Sequence, residues 1–282
     1  LNILKALQYA KRELLHSEFG SEIRVSLEAE MLLGFVLDTT REWLHTWGER
    51  KIKPSDFDKL MECVHRRSQG EPIEYIVGRA NFFGETFYVD NRVLIPRPET
   101  ELLVQKVQAL IVSEGISDIG EIGTGSGAIA IMLALLCPDI SIIASDISEE
   151  ALAVAQINLN AFGVGNNLKD RIDLVCADLL GGVQKSPELL VSNPPYIAND
   201  YALPKNVRYE PDTALFGGVV GDEVLQSIIE FGAQRGIRFL ACEMGYDQKE
   251  RLEACLLAFG YQGDFYQDYN GLDRGFVAEL KN

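Results

Sequence analysis

From Ile116 onward, short apolar segments alternate with helical ones, and no other feature of the chain limits its fold so tightly. Strand-like runs fall at 118–122, 140–144, 172–176, 189–192, 239–242 and 275–280. Helical stretches lie between most of them, at 129–136, 149–162, 222–234 and 248–259. Strands joined through helices cannot pair as hairpins. The pattern therefore predicts a mostly parallel sheet with helices on both faces. In such an open sheet, ligands bind at the carboxyl ends of the strands.

The part before this pattern differs. In residues 1–70 apolar side chains recur at helical spacing, in Ile3, Leu4, Leu7, Leu14 and Leu15, then in Leu27, Met31, Leu32 and Val36. Pro54-Ser55-Asp56 opens a further helix through Leu60, Met61 and Val64, and the whole reads as a small bundle. Residues 71–98 are aromatic and β-prone around Gly84, followed by Asp90-Asn91 and Val93-Leu94-Ile95, which predicts a β-hairpin linking two domains. Pro96-Arg97-Pro98-Glu99-Thr100-Glu101 then leads into an amphipathic helix through Leu102, Leu103, Val107 and Leu110. Acidic residues in a first turn suit the helix dipole, so this stretch reads as a helix start.

Charge narrows the function. Residues 1–70 balance eleven basic against eleven acidic side chains, whereas 99–282 carry twelve basic and twenty-seven acidic ones. A half with a net charge of −15 is a poor binder of polyanions, because phosphate neutralisation dominates nucleic-acid affinity. The five cysteines are odd in number and show no C-x-x-C spacing, so they read as reduced thiols with neither disulfides nor a zinc site. The three histidines lie in the first quarter, away from any carboxylate cluster that would suggest a metal. No basic-then-apolar leader opens the sequence and no apolar run is long enough to span a bilayer, which predicts a cytoplasmic protein away from membranes.

Residues at successive strand ends carry the chemistry. Glu121-Ile122-Gly123-Thr124-Gly125-Ser126-Gly127 closes the first strand and opens a helix. Its glycines permit a sharp turn and bring backbone N–H groups toward a ligand at the helix start. The spacing is G-x-G-x-G, with Ala128 where a dinucleotide-binding turn would place its last glycine. Asp146 ends the second strand, where a carboxylate can accept both hydroxyl protons of an adenosine ribose. Asp178 and Leu179 follow the third strand, placed to accept from an adenine amino group and to pack on its ring. After the fourth comes Asn193-Pro194-Pro195-Tyr196. Prolines stiffen the backbone and donate no N–H, so this turn offers acceptors, an Asn side chain and a flat ring. That set suits a planar group bearing NH2. A Pro-Pro alone is ordinary turn punctuation, and Asp146 alone could be a helix cap; the ordered set points to a nucleoside-like cofactor.

This order resembles the class I S-adenosylmethionine-dependent methyltransferases. Residues 94–101, 123–130, 193–197 and 209–218 are further similar to the PrmC/HemK family, and the likeness extends over almost the whole chain. That family methylates the glutamine side-chain amide of peptide chain release factors. The resemblance implies a Rossmann-like α/β domain at 99–282 with a seven-stranded, mostly parallel sheet. It also implies a helical domain at 1–70 that docks the release factor, and a β-hairpin linker at 71–98. Gly123, Thr124, Gly125, Ser126 and Gly127 would hold the methionine part of S-adenosylmethionine, Asp146 the ribose, and Asp178 with Leu179 the adenine. Asn193 lies where cofactor and substrate meet. Its Oδ1 and the Pro194 carbonyl would accept the two amide N–H bonds, with Pro195 in the substrate turn and Tyr196 packed on the amide plane. S-adenosylhomocysteine would be the product, class-1 release factors the protein partners, and a monomer the expected state, with no metal and no direct contact to nucleic acid. Two departures from the pattern stand out: Glu121 where Asp is common, and Leu179 where a larger aromatic is frequent.

Two other functions fit parts of the pattern. N-P-P-Y also occurs in nucleic-acid amino-methyltransferases, which would apply the same residues to a flipped base but call for a basic groove. A binding module without chemistry would not require the Asn193 acceptors. Glu210, in a loop, and Glu243, at the end of the fifth strand, are the tempting bases, and a structural hydrogen-bonding role fits each at least as well.

Overall fold

The computed structural model describes residues 1–281. The chain falls into two compact units, one of Leu1–Arg79 with Leu203–Tyr209 and one of Ala80–Ala202 with the chain from Glu210 onward. In the first, the apolar spacing becomes helices α1 (Ile3–Leu15), α2 (Val25–Leu37), α3 (Arg41–Thr46), α4 (Pro54–Ser68) and α5 (Ile73–Val77). Asn2 and Thr40 cap α1 and α3 by accepting from the N–H of Lys5 and Trp43, and Pro54 starts α4. Ile3, Leu7, Leu32, Leu33, Leu60 and Val64 fill the bundle core. Ile73, Ile76 and Val77 of α5 enter the same core, so the helical unit continues past residue 70.

A hairpin follows, β1 (Arg79–Phe82) and β2 (Glu85–Tyr88), all of it but Arg79 in the second unit. Its turn is Phe83-Gly84, both left-handed at φ 56° and 81°, the form that suits the twist of a two-residue hairpin. The expectation that Val93-Leu94-Ile95 belongs to the hairpin is corrected: these residues form no strand. Phe82 and Phe87 are buried in the sheet's own core, with Phe87 4.7 Å from Phe162 ring to ring. After it come α6 (Thr100–Glu114), β3 (Asp118–Ile122), α7 (Ala128–Leu136), β4 (Ser141–Asp146), α8 (Glu149–Phe162), β5 (Ile172–Cys176), β6 (Leu189–Ser192) and β7 (Ile197–Ala198). The chain ends through α9 (Asp212–Leu215), β8 (Phe216–Gly218), α10 (Glu223–Gln234), β9 (Phe239–Glu243), α11 (Lys249–Ala258), β10 (Tyr261–Gln267) and β11 (Asp273–Leu280).

Seven strands form one sheet in the order β10-β11-β9-β6-β3-β4-β5. All pairs are parallel except those of β11 with its two neighbours. Leu103 and Val107 of α6 pack with Ile129 and Leu133 of α7 in one core, while Leu225 and Ile229 of α10 pack with Leu252 and Leu256 of α11 in another. Helices thus cover both faces, as expected for a sheet whose strands β6 and β9 are buried along their whole length. The order reverses at β3, which pairs with β4 on one side and β6 on the other. That reversal opens a crevice at the carboxyl ends of β3, β4 and β6.

Candidate active site

At the end of β3 the chain turns through Gly123 and Gly125, with φ of 74° and 53°, a region that side chains rarely adopt. The N–H groups of Gly123 and Thr124 both reach the Ser145 carbonyl at 2.9 Å, and that of Gly125 reaches Asp146 Oδ2 at 2.9 Å. This corrects the expectation that these donors face a ligand. β4 runs alongside and supplies acceptors of its own, so the loop offers a surface free of side chains instead.

Asp146 is the last residue of β4 and takes a second bond from the Ser148 N–H at 3.0 Å. Ser148, not Asp146, caps α8 by accepting from Ala151 N–H. A carboxylate has about four lone-pair positions, so both oxygens keep capacity for ribose hydroxyls. Asp178 is exposed beyond β5, and Leu179 follows it at φ 53°, its carbonyl accepting from the Ser145 hydroxyl. Behind the loop lies Glu121, 1% exposed, whose Oε2 accepts from the Thr124 hydroxyl at 2.7 Å while Oε1 has no partner among the described residues. Burial, with Asp146 nearby, pushes its carboxyl up to about 7.

The Asn193 turn follows β6 and is held from several sides. Its side-chain Nδ2 donates to Thr100 Oγ1 at 3.0 Å, and the Thr100 hydroxyl donates to Glu243 Oε2 at 2.6 Å. The Tyr196 hydroxyl donates to Glu243 Oε1 at 3.0 Å. Burial raises the Glu243 carboxyl, opposed by those two hydroxyl donors and by Arg274. Burial, reinforced by Glu243, also raises the Tyr196 phenol. Gln248 Nε2 donates to the Tyr196 carbonyl at 2.8 Å. Gly217 of β8 lies so close to this turn that a Cβ there would come within 2.4 Å of the Pro195 carbonyl oxygen. Glu210 is buried and accepts from Ile95 N–H at 3.0 Å and from Arg97, tying the two flanking motifs together. Neither Glu210 nor Glu243 lines the cavity, and each is occupied by hydrogen bonds.

A cavity of about 370 Å³ joins these parts. It is lined by Gly123, Thr124, Gly125, Ser126, Asp146, Asp178, Leu179, Asn193, Pro194 and Pro195, all expected from sequence. Gly127 and Tyr196 are not in the lining. Gly127 faces Ala155 and Ile131, and the Tyr196 hydroxyl turns inward to Glu243. Thr100 and Phe82 line the cavity although sequence reasoning did not place them there. Thr100 was visible only within the 94–101 stretch that carries the resemblance, at a helix start with acidic neighbours. Among the described residues no cluster suited to a metal occurs, and no helix is long and apolar enough to cross a membrane.

The chain matches a family model described as the PrmC N-terminal domain over residues 5–78, and one described as a methyltransferase small domain over 98–208. A release factor glutamine methyltransferase of Chlorobaculum tepidum is 39% identical over 88% of this chain and 88% of its own. One of Shewanella oneidensis is 33% identical over 96% and 94%, and one of Buchnera aphidicola 34% identical over the full length of both. Among solved structures, the hMettl16 catalytic domain in complex with a MAT2A 3'UTR hairpin is similar at a TM-score of 0.57 and 18% identity, covering 82% of this chain and 83% of that one. The N-terminal domain of human METTL16 with SAH aligns at a TM-score of 0.52 and 16% identity over 95% and 98%. At such identities these two show the fold, a class I methyltransferase α/β domain.

Proposed function

The chain belongs to the release factor glutamine methyltransferases, and we propose that its cavity joins S-adenosylmethionine to the glutamine amide of the Gly-Gly-Gln motif in class-1 release factors. The carrying observation is the cavity that unites residues 123–126 of the turn and Asp146 with Asn193 and Pro194. The residues present fit such a cofactor: open space stands where Gly123 and Gly125 would carry Cβ atoms, and Asp146 keeps acceptor capacity. When bound, S-adenosylmethionine supplies a methyl on a sulfonium and departs as the neutral thioether S-adenosylhomocysteine.

Asp146 holds the ribose, and Asp178 with Leu179 receives the adenine. An amide nitrogen shares its lone pair with its carbonyl and is a poor nucleophile. Asn193 Oδ1 and the Pro194 carbonyl accept its two N–H bonds, which pushes electron density toward nitrogen and fixes its direction. Alignment is the larger effect, up to about 7–11 kcal/mol for a well-placed pair. No strong base is required before attack, since the nitrogen becomes acidic once alkylated. Tyr196 braces the turn through Glu243, and Pro195 stiffens it. The charge-balanced helical unit docks the release factor and supplies binding energy remote from the reaction.

Incubation with release factor and S-adenosylmethionine should add the mass of one methyl group to a glutamine-bearing peptide. The rate should change little with salt, since no counterion release is involved. Methylation of DNA or RNA in place of release factor would overturn the reading. Asp146→Ala should weaken cofactor binding by about 1.5–3 kcal/mol, the range for hydrogen bonds to a charged group. Unchanged affinity by calorimetry would confine Asp146 to bracing the loop and Ser148.

A further inference from the structure

Asn193 has to present one particular atom. Its side-chain amide has two ends of nearly the same shape, one accepting and one donating, and only Oδ1 can receive an N–H from a substrate amide. Two buried groups decide which end is free. Glu243, 1% exposed, receives the Tyr196 hydroxyl on one oxygen and the Thr100 hydroxyl on the other, at 3.0 and 2.6 Å. Thr100, 4% exposed, has one proton and gives it to Glu243. With its proton on Glu243 it faces Asn193 as an acceptor, and Nδ2 lies 3.0 Å away.

We propose that Thr100 and Glu243 are positioning residues for methyl transfer, a relay that holds Asn193 with Nδ2 inward and Oδ1 toward the substrate nitrogen. The relay makes the cavity selective for an NH2 donor over an acceptor of the same shape, such as a carboxylate. It rests on the reading of Asn193 as the amide acceptor. A glutamine at 243 would undo it, because its NH2 end can donate to Thr100. The Thr100 proton would then be free to point at Asn193 and draw Oδ1 inward. Glu243 sits at the end of β9 and Thr100 at the start of α6, and β9 runs beside β6, which leads into Asn193. The relay is thus set by the sheet order itself.

Thr100→Val keeps the side-chain shape and removes the hydroxyl; Thr100→Ser keeps the hydroxyl. With the full chain, release factor and S-adenosylmethionine, Thr100→Val should lower kcat about 100-fold, the scale of losing one preorganised hydrogen-bond group. KM for release factor and cofactor affinity should stay within about threefold, since the interaction matters mainly in the transition state. Thr100→Ser should recover kcat to within about fivefold, and Glu243→Gln should reproduce the loss, which carries the test should the valine variant not fold. Near-normal kcat in both Thr100→Val and Glu243→Gln, or equal loss in the serine and valine variants, would overturn the relay. An inactive Asn193→Ala beside a near-normal Thr100→Val refutes the relay alone. A working Asn193→Ala refutes the acceptor reading and the relay with it.

Discussion

Asn193→Ala should reduce kcat by roughly 3 kcal/mol or more, a hundredfold or greater loss, while cofactor affinity falls only modestly. The asymmetry follows from where the side chain sits. On the proposed reading, cofactor binding would draw on the Gly123–Gly127 turn, Asp146, Asp178 and Leu179, none of which needs the Asn193 amide. Substrate alignment would depend on it directly, because Oδ1 is the end left over once Nδ2 is committed to Thr100 at 3.0 Å. Alanine would also strip Thr100 of its donor, but the Thr100–Glu243 bond at 2.6 Å can persist without it, so the fold should survive. Single-turnover rates with release factor, beside calorimetry with the cofactor, separate the two effects. Turnover near that of the parent would remove Asn193 from the mechanism.

The sheet was readable because its central strands are continuous apolar runs bounded by turn residues. Leu189–Ser192 and Phe239–Glu243 are buried throughout, and such runs can hardly be anything else between helices. β10 escaped notice for the opposite reason. Tyr261–Gln267 mixes polar and aromatic residues around a glycine without strict alternation and lies at the sheet edge, where one side of the ladder is free. β4 ends at Asp146 as read, although its apolar core stops two residues earlier, because Ser145 and Asp146 continue the pairing with Val175 and Cys176. The hairpin was placed correctly around Gly84 and misjudged at its far end, where Val93-Leu94-Ile95 form no strand. Phe83 takes a left-handed conformation unusual for an aromatic residue, and its N–H is held by Glu101 Oε1 at 2.7 Å.

The site was legible where chemistry follows strand order and illegible where it depends on distant packing. Asp146, Asp178 and Asn193 each stand just at or beyond a strand end, so spacing alone groups them. Thr100 and Asn193 are 93 positions apart, and Thr100 and Glu243 are 143 apart. No local pattern reports such a meeting. The loop N–H groups were misassigned because the Ser145 carbonyl and the Asp146 carboxylate on the neighbouring strand can claim them, which only the register of β3 with β4 reveals.

Glu121→Gln should make the protein more stable in alkaline solution and leave it nearly unchanged in acid. Glu121 is fully enclosed, one oxygen is bonded to Thr124 and the other is unpartnered among the described residues. Burial, with Asp146 nearby, holds its carboxyl at about 7, against 4.5 for an ordinary glutamate. The folded protein therefore binds this proton more tightly than the unfolded chain does. Between those two values the folded state carries the greater share of proton, so stability falls as pH rises through the window. The contribution is whole below the unfolded value and lost above the folded one. The span corresponds to about 3 kcal/mol. Glutamine has nearly the same shape, can still accept from Thr124, and never ionises. It resembles the protonated acid below about pH 5 and escapes the cost of a buried charge above about pH 8. Chemical denaturation of parent and variant across that range should show curves that converge at the acid end and diverge with the variant on top at the alkaline end. Parallel curves would mean that Glu121 keeps one charge state throughout, with its free oxygen satisfied by a group that burial alone does not reveal.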